Sequence, residues 1–128
     1  MRGLRRAAVA AVVAAVVARL FGAGRLTPFT RFVVDGPSME PAYRAGDRVV
    51  VNRLAYLRRG PAAGDVVVLR DPERRGHLLL KRVAKTPAGS EAGNGVYVLG
   101  DNLAASRDSR SFGAVPRRAI VGRAWLRY

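Results

Sequence analysis

One serine of this chain lies in a turn that could present its hydroxyl group for chemistry. Ser38 lies between Pro37 and Pro41 in the stretch Asp35–Pro41, which has apolar runs on both sides. Each proline fixes its own φ, so few conformations are open to the turn. Such a serine often does no more than cap its turn, but it becomes a nucleophile when a base removes its proton. A suitable base elsewhere in the chain would therefore make Ser38 reactive.

The chain offers one histidine and two lysines as candidate bases. His77 would have to serve any Ser–His–Asp triad, but no motif surrounds it, whereas Lys81 directly follows the three leucines Leu78–Leu80. A lysine with a pKa of about 10.4 needs about 4–5 kcal/mol to lose its proton at pH 7. Burial among apolar side chains lowers that pKa by several units. Lys81 is therefore the better candidate, and His77 is the alternative.

A third stretch contains closely spaced polar residues. The turn-forming sequence Gly100-Asp101-Asn102 is followed by Ser106, Asp108 and Arg110. Taken alone, these residues are typical of a polar turn with a surface ion pair, which contributes little to stability.

In this order along the chain, the three stretches resemble the signal peptidase I family of serine–lysine proteases. The resemblance covers the chain from Phe32 to the C-terminus. It is carried by Ser38-Met39-x-Pro41, Gly46-Asp47, Lys81-Arg82-Val83 and Gly100-Asp101-Asn102-x-x-x-Ser106-x-Asp108-Ser109-Arg110-x-x-Gly113. Each motif is weak alone, and the four together are a strong signal. The resemblance implies an endopeptidase that needs no cofactor or metal and removes signal peptides from preproteins after small residues, typically Ala-x-Ala.

The resemblance also implies a role for each polar residue of the motifs. Ser38 would be the nucleophile and Lys81 the general base. Ser106 would hydrogen-bond the Lys81 amine and orient it, and Asp108 and Arg110 would form a salt bridge that supports the site.

The oxyanion hole is only partly specified by the sequence. The backbone N–H of Ser38 is one candidate, and a donor of this kind contributes about 3–4 kcal/mol to transition-state stabilisation. Pro37 has no N–H to donate. Some relatives have a hydroxyl group two residues before the nucleophile, where this chain has Gly36. The second donor is therefore open between a backbone group and water.

Substrate would bind as an extended peptide along the neighbouring strands. It could pair with the edge of Phe32–Asp35 and with the strand of Lys81. The shallow pockets that the family uses for small side chains would have walls formed by Val34, Met39 and Leu79. Only 18 residues separate Lys81 from Gly100, so the second β domain of larger relatives is not expected.

Short apolar runs separated by Gly- and Pro-rich turns predict a mainly β fold. This pattern without a helical period indicates a small antiparallel β-barrel or sandwich, and the resemblance makes it a protease domain of the signal peptidase type. The predicted strands are Arg31–Asp35, Arg48–Arg53, Asp65–Arg70, His77–Lys85, Gly95–Leu99 and Ala119–Arg127.

The N-terminal segment predicts a hydrophobic helix. Arg2, Arg5 and Arg6 precede the Ala/Val run Ala7–Ala18. An uncleaved transmembrane anchor, a cleaved signal peptide and a hydrophobic N-terminal helix all fit this pattern, and the basic residues before the run favour the anchor. We expect residues 1–24 to form the basic segment and anchor, 25–31 a linker and 32–128 the peptidase domain. The peptidase domain would lie outside the plasma membrane.

Composition limits the partners and leaves rival functions open. The net charge is +14, of which residues 32–128 carry +8, so an anionic phospholipid surface is an expected partner. The few, scattered aromatic residues show no stacking pattern or nucleic-acid motif, so we expect no nucleic acid. With no cysteine and one histidine, disulfides and Cys- or His-rich metal sites are excluded. The alternatives are a maturation protease for one client, a self-cleaving repressor and a basic binding module.

Overall fold

The computed structural model of the chain describes residues 2–21, 28–84 and 95–128. Within these ranges lie two α-helices, α1 (Arg2–Phe21) and α2 (Ser109–Phe112), together with eight strands. The strands are β1 (Phe29–Val33), β2 (Arg48–Asn52), β3 (Val66–Arg70), β4 (Leu78–Val83), β5 (Gly95–Val96), β6 (Val98–Leu99), β7 (Val115–Pro116) and β8 (Ile120–Arg127).

The strands agree closely with the apolar runs of the sequence. β2, β3, β4 and β8 lie where they were predicted, and β1 begins and ends two residues earlier than predicted. The strand predicted at Gly95–Leu99 is divided at Tyr97, since β5 pairs with β7 whereas β6 pairs with β4. β7 contains Pro116 and was not predicted. Lys85, the predicted end of the fourth strand, lies outside the described residues.

All the strand pairs in the described ranges are antiparallel, which confirms the main feature of the predicted fold class. The main sheet has the order β1-β2-β8-β3-β4-β6, and β5 and β7 form a second, two-stranded sheet. The main sheet ends at β1 on one side and at β6 on the other. It is therefore not a closed barrel, and that part of the prediction is wrong.

The central strand β3 separates two apolar cores. Because side chains alternate along a strand, Val66 and Val68 face one core while Val67 and Leu69 face the other, and all four are buried. The first core also contains Val34, Met39, Val49, Val51 and Leu80. The second also contains Val83, Val96, Val98 and Val115. Burial of each of these side chains contributes about 1.5–3 kcal/mol, so the two cores hold the sheet in one register.

Helix α1 occupies most of the predicted N-terminal segment. Its alanines favour the helical backbone, and residues 6–16 are exposed. Among the described residues, no helix is long and apolar enough to cross a membrane, so the predicted single-pass anchor over residues 7–24 is not supported. Arginines at both ends of the helix shorten its apolar run. The last three residues of the predicted anchor, 22–24, lie outside the described residues.

Candidate active site

Ser38 is held in a turn whose neighbouring residues are anchored in the first core. Val34 and Met39 are both buried there, and Ser38 between them is half-buried. Backbone hydrogen bonds from Val34 N to Asp47 O and from Gly46 N to Val34 O, each 2.8 Å, tie the start of the turn to the loop before β2. The buried side chains therefore fix the backbone on either side of the serine and leave its hydroxyl at the surface of a cleft.

A second contact fixes the serine turn from the opposite side. Asn102 donates its backbone N–H to the carbonyl oxygen of Ser38 at 2.9 Å and its side-chain amide to the carbonyl oxygen of Pro37 at 3.2 Å. A Cβ atom at Gly100 would lie 2.7 Å from the Ser38 carbonyl oxygen and 2.5 Å from Ser106 Cβ. Real Cβ atoms do not approach other atoms so closely, so only glycine allows the Gly100 turn to pack against both serines.

Lys81 is buried, with 3% of its surface exposed, at a position of β4 that pairs with Val67 of β3. Its Nζ donates to Ser106 Oγ at 3.2 Å. Ser106 Oγ in turn donates its proton to Asp108 Oδ2 at 2.8 Å. Because Ser106 accepts a hydrogen bond from the amine, this contact leaves the lone pair of a neutral Lys81 free to take a proton from another group.

Asp108 is the buried end of this chain of hydrogen bonds. It also accepts hydrogen bonds from the backbone N–H of Gly100 at 3.0 Å and from Arg110 Nε at 2.9 Å, and it caps helix α2 by accepting from the Arg110 backbone. Burial alone would raise the pKa of Asp108, but the hydrogen bonds from Arg110, Gly100 and Ser106 outweigh it and hold that pKa well below its usual range. Asp108 is therefore a fixed negative charge.

The surroundings of Lys81 lower the pKa of its amine. Burial is the main cause that lowers the pKa of Lys81 below its ordinary value. The carboxylates of Asp108 and Asp71 oppose this change, and the guanidinium groups of Arg107 and Arg110 add to it. The net direction is downward, as a lysine base requires.

Ser38 and Lys81 line one cleft, whose volume is about 120 Å³. The cleft lies between β1 with its following turn and β4, although β2, β8 and β3 lie between these strands in the sheet order. The pairing register shifts where β8 pairs with β2 and again where it pairs with β3, and such irregularities bend strands and increase twist. The three predicted pocket residues, Val34, Met39 and Leu79, all line this cleft, together with Phe32, Leu78 and Leu80.

The oxyanion-hole candidates are also placed by the structure. Among the hydrogen bonds of residues 28–84 and 95–128, none is donated by the backbone N–H of Ser38. Gly36 has a φ of 75°, a conformation that glycine adopts without strain, and it has no side chain to donate a hydrogen bond.

The sequence analysis did not identify three residues as members of the site. Asn102 was identified only as part of a turn motif, and Asp71 and Arg107 were not identified at all, yet both of these line the cleft and are joined by a salt bridge. Arg107 lies inside the polar motif, between Ser106 and Asp108, which was the only signal in the sequence. His77 is exposed and lines the cleft too.

Comparison with known families identifies the family to which this chain belongs. The family model for "Signal peptidase, peptidase S26" matches residues 4–90 and 92–128. The chain belongs to this family. The resemblance seen in the motifs is therefore confirmed, and membership supports a peptidase of the serine class that acts on preproteins.

Several curated relatives support the family assignment. The chain is 34% identical over 112 residues to mitochondrial ATP-independent inner membrane protease subunit 1a of Arabidopsis thaliana, covering 73% of this chain and 67% of the relative. It is 28% identical over 134 residues to probable signal peptidase I-1 of Synechocystis sp., covering 74% and 68%. It is 32% identical over 115 residues to mitochondrial inner membrane protease subunit 1 of Xenopus tropicalis, covering 74% and 66%. The chain spans about two thirds of the length of these relatives.

Proposed function

We propose that this member of the S26 family is a signal peptidase I that removes signal peptides from exported preproteins, with Ser38 as nucleophile and Lys81 as general base. The observation that supports the proposal most directly is the hydrogen-bonded series Lys81–Ser106–Asp108. It ends on a buried amine that shares one cleft with Ser38.

In the proposed reaction, the neutral amine of Lys81 takes the proton of Ser38 Oγ as that oxygen attacks the scissile carbonyl carbon. The ammonium group of Lys81 then gives this proton to the leaving amine, and the peptide bond breaks to leave an ester on Ser38. Lys81 next removes a proton from water as the water oxygen attacks the ester carbon. It returns this proton to Ser38 Oγ as the ester bond breaks and the acid product leaves, so the neutral amine and the serine hydroxyl are restored. Ser106 keeps the amine in place throughout, because its own proton is held by Asp108.

The negative oxygen of the tetrahedral intermediate needs a hydrogen-bond donor. We assign this role to the backbone N–H of Ser38, and a second donor would come from another backbone group or from water. A preorganised donor of this kind contributes about 3–4 kcal/mol to stabilisation of the transition state.

The cleft suits small side chains. Its volume is about 120 Å³, and Val34, Met39 and Leu79 form apolar walls beside Ser38. We therefore assign to it the small residues at −1 and −3 of the cleavage site. A bulky side chain at −1 would have to displace Met39, which is fully buried.

We further propose that the peptidase works on the extracytoplasmic side of the plasma membrane, where its basic surface contacts anionic phospholipid. Phe29 and Trp125 stack with their ring centroids 5.4 Å apart and are 46% and 64% exposed. Aromatic side chains of this kind favour the membrane–water interface. Flotation of the full chain with vesicles should give binding to phosphatidylglycerol-containing vesicles and less to phosphatidylcholine alone. Equal binding to both would contradict the assignment to anionic lipid.

The side of the membrane can be tested because the chain has no cysteine. An Arg58→Cys variant places one thiol on the exposed surface of the peptidase domain. A membrane-impermeant maleimide should label it in intact cells. Labelling only after lysis would place the domain in the cytoplasm.

A second candidate is a maturation protease with one dedicated client. The relatives of this chain include proteins named inner membrane protease subunits as well as probable signal peptidases, so both candidates fit the family. A panel of unrelated preproteins distinguishes the candidates, since a general signal peptidase should cleave most of them and a dedicated enzyme only one.

The proposed function is tested with a tagged preprotein. The parent should cleave it at one bond after a small residue, and Ser38→Ala should leave it intact while its circular dichroism spectrum is unchanged. Cleavage by Ser38→Ala at the rate of the parent would refute the proposal.

A further inference from the structure

A second ion pair borders the cleft and is not part of the proposed reaction. Asp71 directly follows β3, and its side chain is only 1% exposed. Arg107 binds both of its carboxylate oxygens: Nη1 donates to Oδ1 at 3.1 Å, and Nη2 donates to Oδ2. The Glu73 backbone N–H donates to Oδ1 at 2.9 Å. A bidentate contact of this kind fixes the position of both side chains.

The pair connects the two segments that carry the proposed base and its hydrogen-bond partner. Asp71 begins the loop that leads into β4 and Lys81, and its N–H bonds to the carbonyl oxygen of His77 at the end of that loop. Arg107 lies between Ser106 and Asp108 in the sequence. The ion pair and the hydrogen bond from Lys81 to Ser106 therefore join the same two segments at two points.

The pair also places two opposite charges beside the amine. Both residues line the cleft with Lys81. Burial has the largest effect on the pKa of Lys81. Among charges, Asp108 raises it most, Arg107 lowers it, Asp71 raises it and Arg110 lowers it. The remaining charged or titratable groups that line the cleft are Asp35, Arg74 and His77. The Glu73 carboxylate also faces the pair, since its Oε1 accepts a hydrogen bond from Arg107 Nη1 at 3.2 Å. Because Asp71 and Arg107 act in opposite directions, their effects on the pKa of the amine partly cancel.

We propose that Asp71 and Arg107 are positioning residues, which hold Ser106 against the Lys81 amine and keep the charge beside that amine balanced. This inference rests on the proposed function, in which Lys81 is the base. It assigns to the pair a role in setting the pH range of the enzyme in addition to any role in stability.

The test is the pH dependence of kcat/KM for a peptide substrate with three variants. Arg107→Gln leaves the Asp71 carboxylate uncompensated near Lys81, so the rise in rate should move to higher pH by about half a unit or more. Asp71→Asn removes a carboxylate that raises the pKa of Lys81, while Arg107 keeps its contact with Glu73, so the rise should move to lower pH. The double variant Asp71→Asn/Arg107→Gln should return close to the parent profile.

A pair that only stabilises the fold would behave differently. Both single variants would then lose activity or melting temperature with the profile unmoved, and that result would overturn the proposal. Shifts of both variants in the same direction would overturn it too. If Arg107→Gln does not fold, Arg107→Lys replaces it. This variant keeps the positive charge but loses the bidentate contact with Asp71. It should therefore retain the parent pH profile with a lower kcat.

A matched control removes an Arg–Asp pair that lies outside the cleft. Arg127 Nη1 contacts Asp47 Oδ2 at 3.3 Å, and neither residue lines the cleft. Arg127→Gln should leave the profile unchanged, and a displacement equal to that of Arg107→Gln would show a general charge effect and refute the proposal. The Ser38→Ala variant distinguishes failure of this inference from failure of the proposed function. If cleavage depends on Ser38 but the Asp71 and Arg107 variants do not shift the pH profile in opposite directions, only the role of the pair is rejected.

Discussion

The Gly100→Ala variant tests the close packing on which the site depends. The new Cβ would lie 2.7 Å from the carbonyl oxygen of Ser38 and 2.5 Å from Ser106 Cβ. The first of these atoms belongs to the backbone of the serine turn, so the turn or the Gly100 loop must move. Overpacking of this kind costs about 1–3 kcal/mol in the free energy of unfolding. A displacement of about 1 Å in a catalytic group lowers the rate about 100-fold.

We therefore expect Gly100→Ala to lower kcat/KM about 100-fold or more while the protein still folds. The assay is cleavage of a fluorogenic signal-peptide substrate, with urea unfolding measured on the same preparation. Gly60→Ala is the matched control, since its Cβ would meet only the flexible Arg117 side chain at 3.7 Å and beyond. It should keep the parent rate and stability. Parent-like kcat/KM in Gly100→Ala would refute the inferred contact between the two serine segments.

The remaining predictions concern the base, the pocket and the buried carboxylate. Lys81→Ala and Lys81→Arg should both abolish cleavage with the fold retained, whereas His77→Ala should keep most activity; loss of cleavage in His77→Ala would restore histidine as the base. Because burial lowers the pKa of Lys81, kcat/KM should rise with pH through a pKa below about 10.4; a flat profile between about pH 6 and pH 10, with chemistry rate-limiting, would argue against a lysine base. Replacement of the substrate's −1 Ala by Leu should block cleavage, and mass spectrometry showing equal cutting of both substrates would contradict the small pocket. Asp108→Asn should cost about 1.5–3 kcal/mol by urea unfolding at pH 7, and Asp47→Asn, in an exposed pair, should cost less. Since the pKa of Asp108 is lower in the folded state, its contribution is present above the ordinary Asp pKa of about 3.9 and is lost as the pH falls through the folded pKa; equal losses in the two variants would contradict this account.

The sequence by itself determined the local elements of this protein. Runs of Val and Leu bounded by Gly-Asp turns predict β2, β3, β4 and β8, because burial of a strand depends mainly on its own apolar side chains. The motifs likewise led to the prediction of Ser38 as nucleophile and Lys81 as base, and both residues line one cleft. Family membership, which the motifs predicted, is confirmed by the family match.

Other features were decided only by the tertiary structure, because they depend on pairing between distant parts of the chain. The break at Tyr97 follows from the different partners of β5 and β6, and nothing in the sequence of Gly95–Leu99 specifies those partners. The cleft is lined by residues of β1 and β4, which are not neighbours in the sheet, and the pairing register shifts in the strands between them. The contact between Asp71 and Arg107 joins residues 36 positions apart. Charged residues are frequent in this chain, so composition could not reveal that these two would meet at the edge of the cleft, with the Asp71 carboxylate buried.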